Sequence, residues 1–252
     1  MGSIFPLDIA ARSDPGRVRQ LNEDAFGVDP DDGLLIVADG LGGYNAGEVA
    51  STLAVSSLLT DLVAARAAAG ESFDPEQTLR EHLERVNRDI HKAATNSSAF
   101  EGMATTIVVA WIVGDRLWVA HAGDSRLYRL RDAELEQLTR DHSFSQELLD
   151  AGMLTEQEAR QMPAKNLVTR ALGVEAAVEP EIRCLDLRAG DLLMLCTDGA
   201  IESVSAEQLA SELAVAERSL DEVADRLIAL ANEGGGRDNE TVVLCRVGVA
   251  GG

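Results

Sequence analysis

Runs of apolar and β-branched residues that end in turn-forming residues recur along the chain. Each run has the length and composition of a β-strand. The predicted strands are Leu7–Ala11, Ala25–Asp29, Leu34–Asp39, Met103–Val113, Leu117–Ala122, Leu127–Leu130, Leu192–Thr197 and Thr241–Val247. Short turns at Gly114–Asp115 and Gly123–Ser125 join successive strands. Such short connections favour antiparallel pairing.

Helical periodicity occupies other parts of the chain. Ala46–Ala65 is rich in Ala, Leu and Ser, and Pro75–Thr95 has apolar residues at alternating three- and four-residue steps. A third apolar stripe begins after Ser219, a capping residue, and stops at Gly234–Gly236. This order of elements predicts an α+β fold in which helices pack outside two stacked antiparallel sheets.

A polar, helix-prone stretch from Asp141 to Asn166 interrupts the strand-rich region. We call residues 141–166 the flap, because such an insertion is expected at the surface. No repeat or low-complexity linker divides the chain. We therefore expect residues 1–252 to form one domain that carries the flap.

Acidic residues outnumber basic ones by 43 to 22, which gives a net charge of −21. No basic face is visible, so nucleic acid is not an expected partner. Met103–Val113 is the longest apolar run we recognise, too short to span a membrane, and the N-terminus lacks a secretory signal pattern. We expect a cytoplasmic protein whose three separated cysteines are reduced thiols.

Five aspartates stand at the ends of predicted strands: Asp24, Asp39, Asp124, Asp198 and Asp238. An Asp-Gly pair often does no more than begin a turn, and that reading is the better one for any single site. If the strands lie in facing sheets, however, their ends meet at one edge. Carboxylates gathered there would repel one another unless divalent cations neutralised them.

Carboxylates, a backbone carbonyl and water are the ligands that Mg²⁺ and Mn²⁺ prefer, and no Cys/His spacing competes for this role. Gly40 allows close approach of the backbone, so its carbonyl is a candidate ligand. Two such ions sharing a water are suited to phosphate-ester hydrolysis. Arg19, five residues before Asp24, is the best-placed cation for a phosphate, although a surface ion pair explains it equally well when taken alone.

Several segments that occur in a fixed order resemble the motifs of bacterial type 2C (PPM) metal-dependent protein serine/threonine phosphatases. The segments are Arg19–Asp24, Val37–Gly43, Met103–Thr106, Gly123–Arg126, Leu138–Ser143, Cys196–Gly199 and Gly236–Asn239. The resemblance spans about Asp8 to Val247. It implies an αββα four-layer β-sandwich with a metal centre in a cleft at one edge, and hydrolysis of phosphoserine and phosphothreonine on proteins.

The resemblance also implies roles for individual residues. Asp39 would bridge two Mn²⁺ or Mg²⁺ ions, with the Gly40 carbonyl on one ion and Asp198 and Asp238 on the other. Glu23 and Asp24 would hold metal-bound water or bind metal directly. The remaining implied roles are phosphate binding by Arg19, a weaker third ion at Asp124 and Asp198, and support of metal-bound water by Asn239.

One position departs from part of the family. Animal members often have His directly after the Asp-Gly pair, as a suggested acid for the leaving group, whereas this chain has Leu41. Water at the metal centre is then the expected proton donor. His142, at the start of the flap, is the only histidine for which we consider a catalytic effect, and His142 and Ser143 are the candidate substrate-recognition residues.

Two other functions stay open from the sequence. A catalytically inactive relative could bind phosphoproteins, but such proteins usually lose metal aspartates, and all are present here. A phosphatase acting on anti-sigma-antagonist proteins is the other alternative, and those chains commonly carry sensory domains. The leading expectation is a monomeric enzyme that opposes a cognate serine/threonine kinase.

Overall fold

Two antiparallel sheets form the centre of the protein in a computed structural model that describes residues 3–42, 46–162, 167–215 and 218–249. The strands are β1 (Leu7–Asp14), β2 (Asp24–Asp29), β3 (Leu34–Leu41), β4 (Ala104–Thr105), β5 (Ile107–Val113), β6 (Arg116–Ala122), β7 (Arg126–Arg131), β8 (Glu134–Gln137), β9 (Glu181–Asp186), β10 (Leu192–Cys196) and β11 (Glu240–Val247). The helices are α1 (Ala46–Ala69), α2 (Pro75–Asn96), α3 (Phe144–Asp150), α4 (Glu156–Gln161), α5 (Ala206–Leu213) and α6 (Leu220–Glu233).

One sheet has the strand order β1-β11-β10-β7-β8, and the other has β2-β3-β5-β6-β9, with β4 paired to β3. Helices α1 and α2 cover the second sheet, whereas α5 and α6 cover the first. A separate apolar cluster, which includes Val37, Val108, Leu195 and Val243, lies between the two sheets. The expected αββα sandwich of two antiparallel sheets is thus confirmed.

The structure extends the predicted elements and adds several that the pattern did not reveal. Strands β8 and β9 lie at sheet edges, where Glu134–Gln137 and Glu181–Asp186 are partly solvated and lack a long apolar run. The predicted strand Met103–Val113 is two strands, because Ala104–Thr105 pairs with the end of β3 before the chain continues into β5.

Helix α1 is longer than predicted and, among the described helices, has the length and hydropathy of a possible membrane span. It is therefore a longer apolar segment than Met103–Val113. Its residues Leu58 and Leu62 are fully buried in the cluster that joins α1 and α2 to the second sheet. Packing inside the sandwich accounts for its apolar composition.

The flap contains α3 and α4 and projects from the β8–β9 connection. Residues 163–166 of the flap lie outside the described residues. Beyond them, the chain returns to the sandwich at Leu172, which exchanges backbone hydrogen bonds with Thr105. Buried Asn87 of α2 accepts from the Gly173 amide at 2.8 Å and donates to the Glu175 carbonyl at 3.0 Å. The chain that follows the flap is therefore attached to the rigid core.

The packing predicts a large effect of truncation at Leu58, which has no exposed surface. Leu58→Ala should destabilise the protein by about 2–5 kcal/mol, because the lost methyl groups leave a cavity in a close-packed layer. The control is Val174→Ala at a side chain that is 54% exposed, where a change within about 0.5 kcal/mol is expected. Denaturant unfolding of both variants measures the difference, and equal midpoints would contradict the assigned core.

Candidate metal centre

The five predicted aspartates lie at one edge of the sandwich. Asp24, the first residue of β2, is paired directly with Asp39 near the end of β3. Asp124 lies in the turn between β6 and β7. Asp198 follows β10 and Asp238 precedes β11 in the facing sheet. The two sheets thus contribute carboxylates to the same edge, as the strand-end pattern predicted.

Thr197 joins the two sheets at this edge. Its hydroxyl donates to Asp24 Oδ2 at 2.9 Å and accepts from the Thr241 amide at 3.0 Å. Thr241 Oγ1 lies 2.8 Å from Ser13 Oγ. Because Thr197 binds Asp24 across the interface between the sheets, this hydrogen bond links the two halves of the acidic cluster.

Burial is the largest cause that raises the pKa of Asp39 well above its ordinary value. The further causes are the neighbouring charges of Asp24, Asp198, Asp124 and Asp238. Burial likewise raises the pKa of Asp24 and of Asp124 to about 7 and that of Asp198 to about 6. Asp39 is therefore the centre of a cluster whose members disfavour one another's ionisation.

The cluster has the properties of a site for a hard divalent cation. Every candidate ligand atom is oxygen, which suits Mg²⁺ and Mn²⁺. Among the described residues, Asp24 Oδ1 is buried and has no hydrogen-bond partner. A buried carboxylate oxygen of this kind normally has a partner, and a cation or its bound water would supply one. The residues present thus fit the metal ions that the sequence predicted.

Glu23 and Gly40 lie beside the first turn of α1. A Cβ atom at Gly47 would come within 2.7 Å of both the Gly40 carbonyl oxygen and Glu23 Oε1. A Cβ atom at Gly40 would in turn lie 2.2 Å from the Gly47 carbonyl oxygen. Neither position therefore has room for a side chain, and the Gly40 carbonyl and the Glu23 carboxylate face the same side of Gly47.

Arg19 and Asn239 lie on the outer side of the cluster. Arg19 is half-exposed, and its Nη2 donates to Asp238 Oδ2 at 2.8 Å. The Asn239 side chain accepts from the Glu23 amide at 2.8 Å and donates to the Pro15 and Leu21 carbonyls at 3.0 and 2.8 Å. Asn239 therefore holds the loop that carries Arg19 and Glu23, while support of bound water by Asn239 stays a prediction.

His142 is stacked on His121 with ring centroids 4.7 Å apart. The Gly123 amide donates to His142 Nδ1 at 3.2 Å, so this nitrogen carries no proton. Burial, followed by His121 and Arg170, lowers the pKa of His142 to about 3. The imidazole is thus neutral at pH 7 and supports the turn that carries Asp124.

The fold also assembles a group that the sequence spacing did not reveal. One ligand atom each of His121, His142 and Glu181 lies within 4.8 Å of the others. Arg170 Nη1 lies 3.2 Å from His142 Nε2, so a guanidinium already adjoins this group. The acidic cluster remains the candidate centre for divalent ions.

Ser143 is buried at the base of the flap, where its hydroxyl caps α3 by accepting from the Gln146 amide at 3.3 Å. A groove of about 970 Å³ extends from Asp124 and Asp198 between the flap and α5. Of the two predicted recognition residues, Ser143 lines this groove, and the role of His142 and Ser143 in recognition stays a prediction.

Sequence reasoning assigned no role to Arg126, although it belongs to one of the quoted motifs. Its guanidinium donates from Nε to Asp141 Oδ1 at 2.9 Å and from Nη2 to Asp141 Oδ2 at 2.6 Å. It also lowers the pKa of Asp124 and of Asp198 against the larger effect of burial. Its position two residues after the candidate ligand Asp124 was the available signal, but its partner in the flap could be known only from the fold.

Residues 16–234 match the protein phosphatase 2C family. This chain belongs to the protein phosphatase 2C family. It is 40% identical over 236 residues to the serine/threonine phosphatase Stp of Listeria monocytogenes, a match that covers 92% of this chain and 93% of that one. It is 42% identical over 246 residues to the serine/threonine protein phosphatase PstP of Mycobacterium tuberculosis, covering 96% of this chain and 45% of PstP.

Solved structures agree with the family assignment. The catalytic domain of PstP in complex with two manganese ions superposes with a TM-score of 0.85 at 40% identity, covering 96% of this chain and 99% of that one. The phosphatase Stp1 of Staphylococcus aureus has a TM-score of 0.88 at 31% identity, covering 100% and 98%. The phosphatase 2C fold therefore extends over nearly the whole chain.

The raised pKa values of the acidic cluster predict a pH dependence of stability in the presence of a chelator. Because Asp24, Asp124 and Asp198 hold protons in the folded state up to about pH 6–7, while the unfolded groups release them near 3.8, stability should fall as pH rises through this window. The thermal midpoint should drop between about pH 4 and 7, by about 2–4 °C per kcal/mol lost.

Mn²⁺ is the control in this experiment. Bound cations favour ionised carboxylates. When Mn²⁺ replaces the chelator, the thermal midpoint should therefore fall much less as the pH rises. A midpoint whose pH dependence is the same with and without Mn²⁺ would contradict the assignment of these aspartates to one cation site.

Proposed function

We propose that this protein is a metal-dependent phosphatase that hydrolyses phosphoserine and phosphothreonine on other proteins. The observation that carries the proposal is the cluster of carboxylates around Asp39, with oxygen ligands from both sheets and a buried Asp24 oxygen that lacks a hydrogen-bond partner. The serine/threonine phosphatases named above share the fold and at least 31% of the sequence. A structure of PstP with two manganese ions supports the same cofactor here.

Several residues of this chain would together hold two Mn²⁺ or Mg²⁺ ions. Asp39 would bridge them, because it is central to the other carboxylates. The other proposed ligands, or holders of coordinated water, are Glu23, Asp24, the Gly40 carbonyl, Asp198 and Asp238. Asp124 together with Asp198 would hold a weaker third ion. When bound, the ions supply a nucleophilic water at neutral pH and neutralise charge on the phosphoryl oxygens.

Arg19 would bind the substrate phosphate. Its guanidinium lies beside Asp238 on a loop tied down by Asn239, so it adjoins the acidic cluster without being buried in it. A planar guanidinium can donate two parallel hydrogen bonds to a phosphate dianion. This cation would offset part of the repulsion that a chain of net charge −21 exerts on such a substrate.

The leaving alkoxide needs a proton from another source. Leu41 has no acidic proton, and His142 stays neutral with Nδ1 occupied by the Gly123 amide. We therefore assign His142 to support of the Asp124 turn, and expect solvent water in the cleft to be the donor.

Phosphorylated proteins are the substrates that this proposal names, and a serine/threonine kinase would be the opposing enzyme. The groove beside the flap gives an extended phosphopeptide room next to the carboxylates. A site built from a single chain is consistent with a monomer, and we propose that the enzyme is cytoplasmic. An inactive phosphoprotein-binding relative is disfavoured because every proposed ligand is present.

Asp39→Asn is the direct test of the metal mechanism. It should reduce hydrolysis of a small aryl phosphate in Mn²⁺ by at least about a hundredfold, because a neutral amide cannot bridge two cations or stabilise the charge they organise. The protein should stay folded, because the substitution removes one of several carboxylates that repel one another. Steady-state rates and thermal unfolding measure the two effects.

Asp89→Asn, at an exposed position on α2, is the matched control and should keep full activity. EDTA should stop the wild-type reaction, and Mn²⁺ should restore it. Near-wild-type turnover by Asp39→Asn would remove Asp39 from the metal centre, and activity that persists in EDTA would refute a metal-dependent reaction.

Arg19→Ala should weaken substrate binding, because Arg19 is the residue proposed to contact the substrate phosphate. Loss of a charge-assisted hydrogen bond predicts a decrease in kcat/KM of roughly tenfold or more, expressed as a higher KM. Arg88→Ala is the control, because its side chain is 52% exposed against 50% for Arg19. If both variants have the same KM for aryl phosphate, Arg19 does not bind the phosphate.

A further inference from the structure

Two consecutive buried threonines hold the backbone of Asp39. Thr105 ends β4, Thr106 follows it, and neither has exposed surface. The Asp39 amide donates to Thr106 Oγ1 at 3.0 Å. The Asp39 carbonyl accepts from the Thr106 amide at 2.9 Å and from Thr105 Oγ1 at 2.8 Å. Both backbone polar groups of the central carboxylate residue are therefore bound by this pair.

Thr106 also contacts the turn that carries Asp124. Its Oγ1 lies 2.7 Å from the hydroxyl of Ser125, which directly follows Asp124, and Ser125 is 2% exposed. On the other side of Asp124, a Cβ atom at Gly123 would lie 2.6 Å from Thr106 Cβ and 2.7 Å from its Cγ2. The turn that carries Asp124 thus contacts Thr106 through a hydrogen bond and through van der Waals packing.

The hydroxyl of Thr106 has enough bonding capacity for both neighbours. It accepts the Asp39 amide proton with one lone pair, and its own proton or that of Ser125 forms the second hydrogen bond. These bonds have no competition from solvent because the residues are buried. A displacement of either carboxylate-bearing segment would break a buried hydrogen bond, which is costly when no water replaces it.

We propose that Thr106 is a positioning residue that couples Asp39 to Asp124, so that one buried hydroxyl determines the placement of the central carboxylate relative to the third-ion site. The effect of Thr106 on catalysis rests on the proposed function, whereas its structural role rests only on the contacts described above. Thr106 touches neither substrate nor metal in this scheme and acts through the segments it holds.

Thr106→Val tests the proposal because it keeps the shape of the side chain and removes the hydroxyl. The Asp39 amide then loses its buried acceptor, so Mn²⁺ affinity measured by calorimetry and kcat at saturating Mn²⁺ should each fall about tenfold. The KM for aryl phosphate should change little, because Arg19 is untouched. In the metal-free protein, hydrogen exchange at the Asp39 amide should accelerate about tenfold or more.

Two further variants separate the hydroxyl from packing. Thr106→Ser keeps the hydroxyl and should retain Mn²⁺ affinity and slow amide exchange. Ser125→Ala breaks only the bond to the Asp124 turn, so it should weaken the lower-affinity Mn²⁺ site about tenfold and leave the tighter sites within twofold. Ser125→Ala also decides the question if Thr106→Val does not fold.

Thr139→Val is the matched control. Thr139 is 5% exposed, and its hydroxyl accepts a hydrogen bond from the Leu127 amide at 3.1 Å, a bond that involves neither Asp39 nor the Asp124 turn. It should lower thermal stability but leave Mn²⁺ affinity unchanged. Equal effects of Thr106→Val and Thr139→Val on Mn²⁺ binding would overturn the proposal. So would an equal loss of Mn²⁺ affinity in Thr106→Val and Thr106→Ser. A Ser125→Ala variant that binds Mn²⁺ like the wild type would also overturn it.

The experiment distinguishes this proposal from the proposed function. If the wild-type protein binds Mn²⁺ but hydrolyses no phosphate ester, the phosphatase proposal fails. Calorimetry and the exchange rate of the Asp39 amide still decide whether Thr106 couples the two segments, since neither measurement depends on turnover.

Discussion

Repulsion among carboxylates at one edge of the sandwich is the constraint on which the rest of the structure depends. Asp39 has four acidic neighbours, and their charges add to the effect of burial in raising its pKa. Only a rigid framework can keep such groups together against this repulsion. The framework consists of strand pairing between Asp24 and Asp39 and the Thr197 hydroxyl that joins the two sheets. Hard cations complete it by neutralising the charge.

Short polar side chains bind the backbone around the acidic cluster. Ser51 of α1 donates to the Glu23 carbonyl, and Asn239 accepts from the Glu23 amide. Thr106 has the corresponding role for Asp39. Because these bonds are made to main-chain atoms, they position a ligand without occupying its carboxylate oxygens.

Much of the fold followed from periodicity, because the central strands and the core helices have nearly unbroken apolar runs or stripes. Strands β8 and β9 were missed since an edge strand needs only a partly apolar face, as Glu181–Asp186 illustrates. The acidic cluster was predictable because each aspartate stands at a strand end. The pairing of Arg126 with Asp141 was not, since it depends on where the chain that leaves β8 lies beside β7.

The flap and the segment that follows it link the fold to the acidic cluster. At one end, Asp141 binds Arg126, which adjoins Asp124 and Asp198 and partly offsets their charge. In the segment that follows the flap, Leu172 exchanges hydrogen bonds with Thr105, whose hydroxyl also binds the Asp39 carbonyl. The start of the flap and the segment that follows it therefore attach to groups that support the candidate metal ligands. We expect a change at flap residues other than Asp141 to alter the groove without moving the carboxylates, because the bonds to Arg126 and Thr105 would be kept.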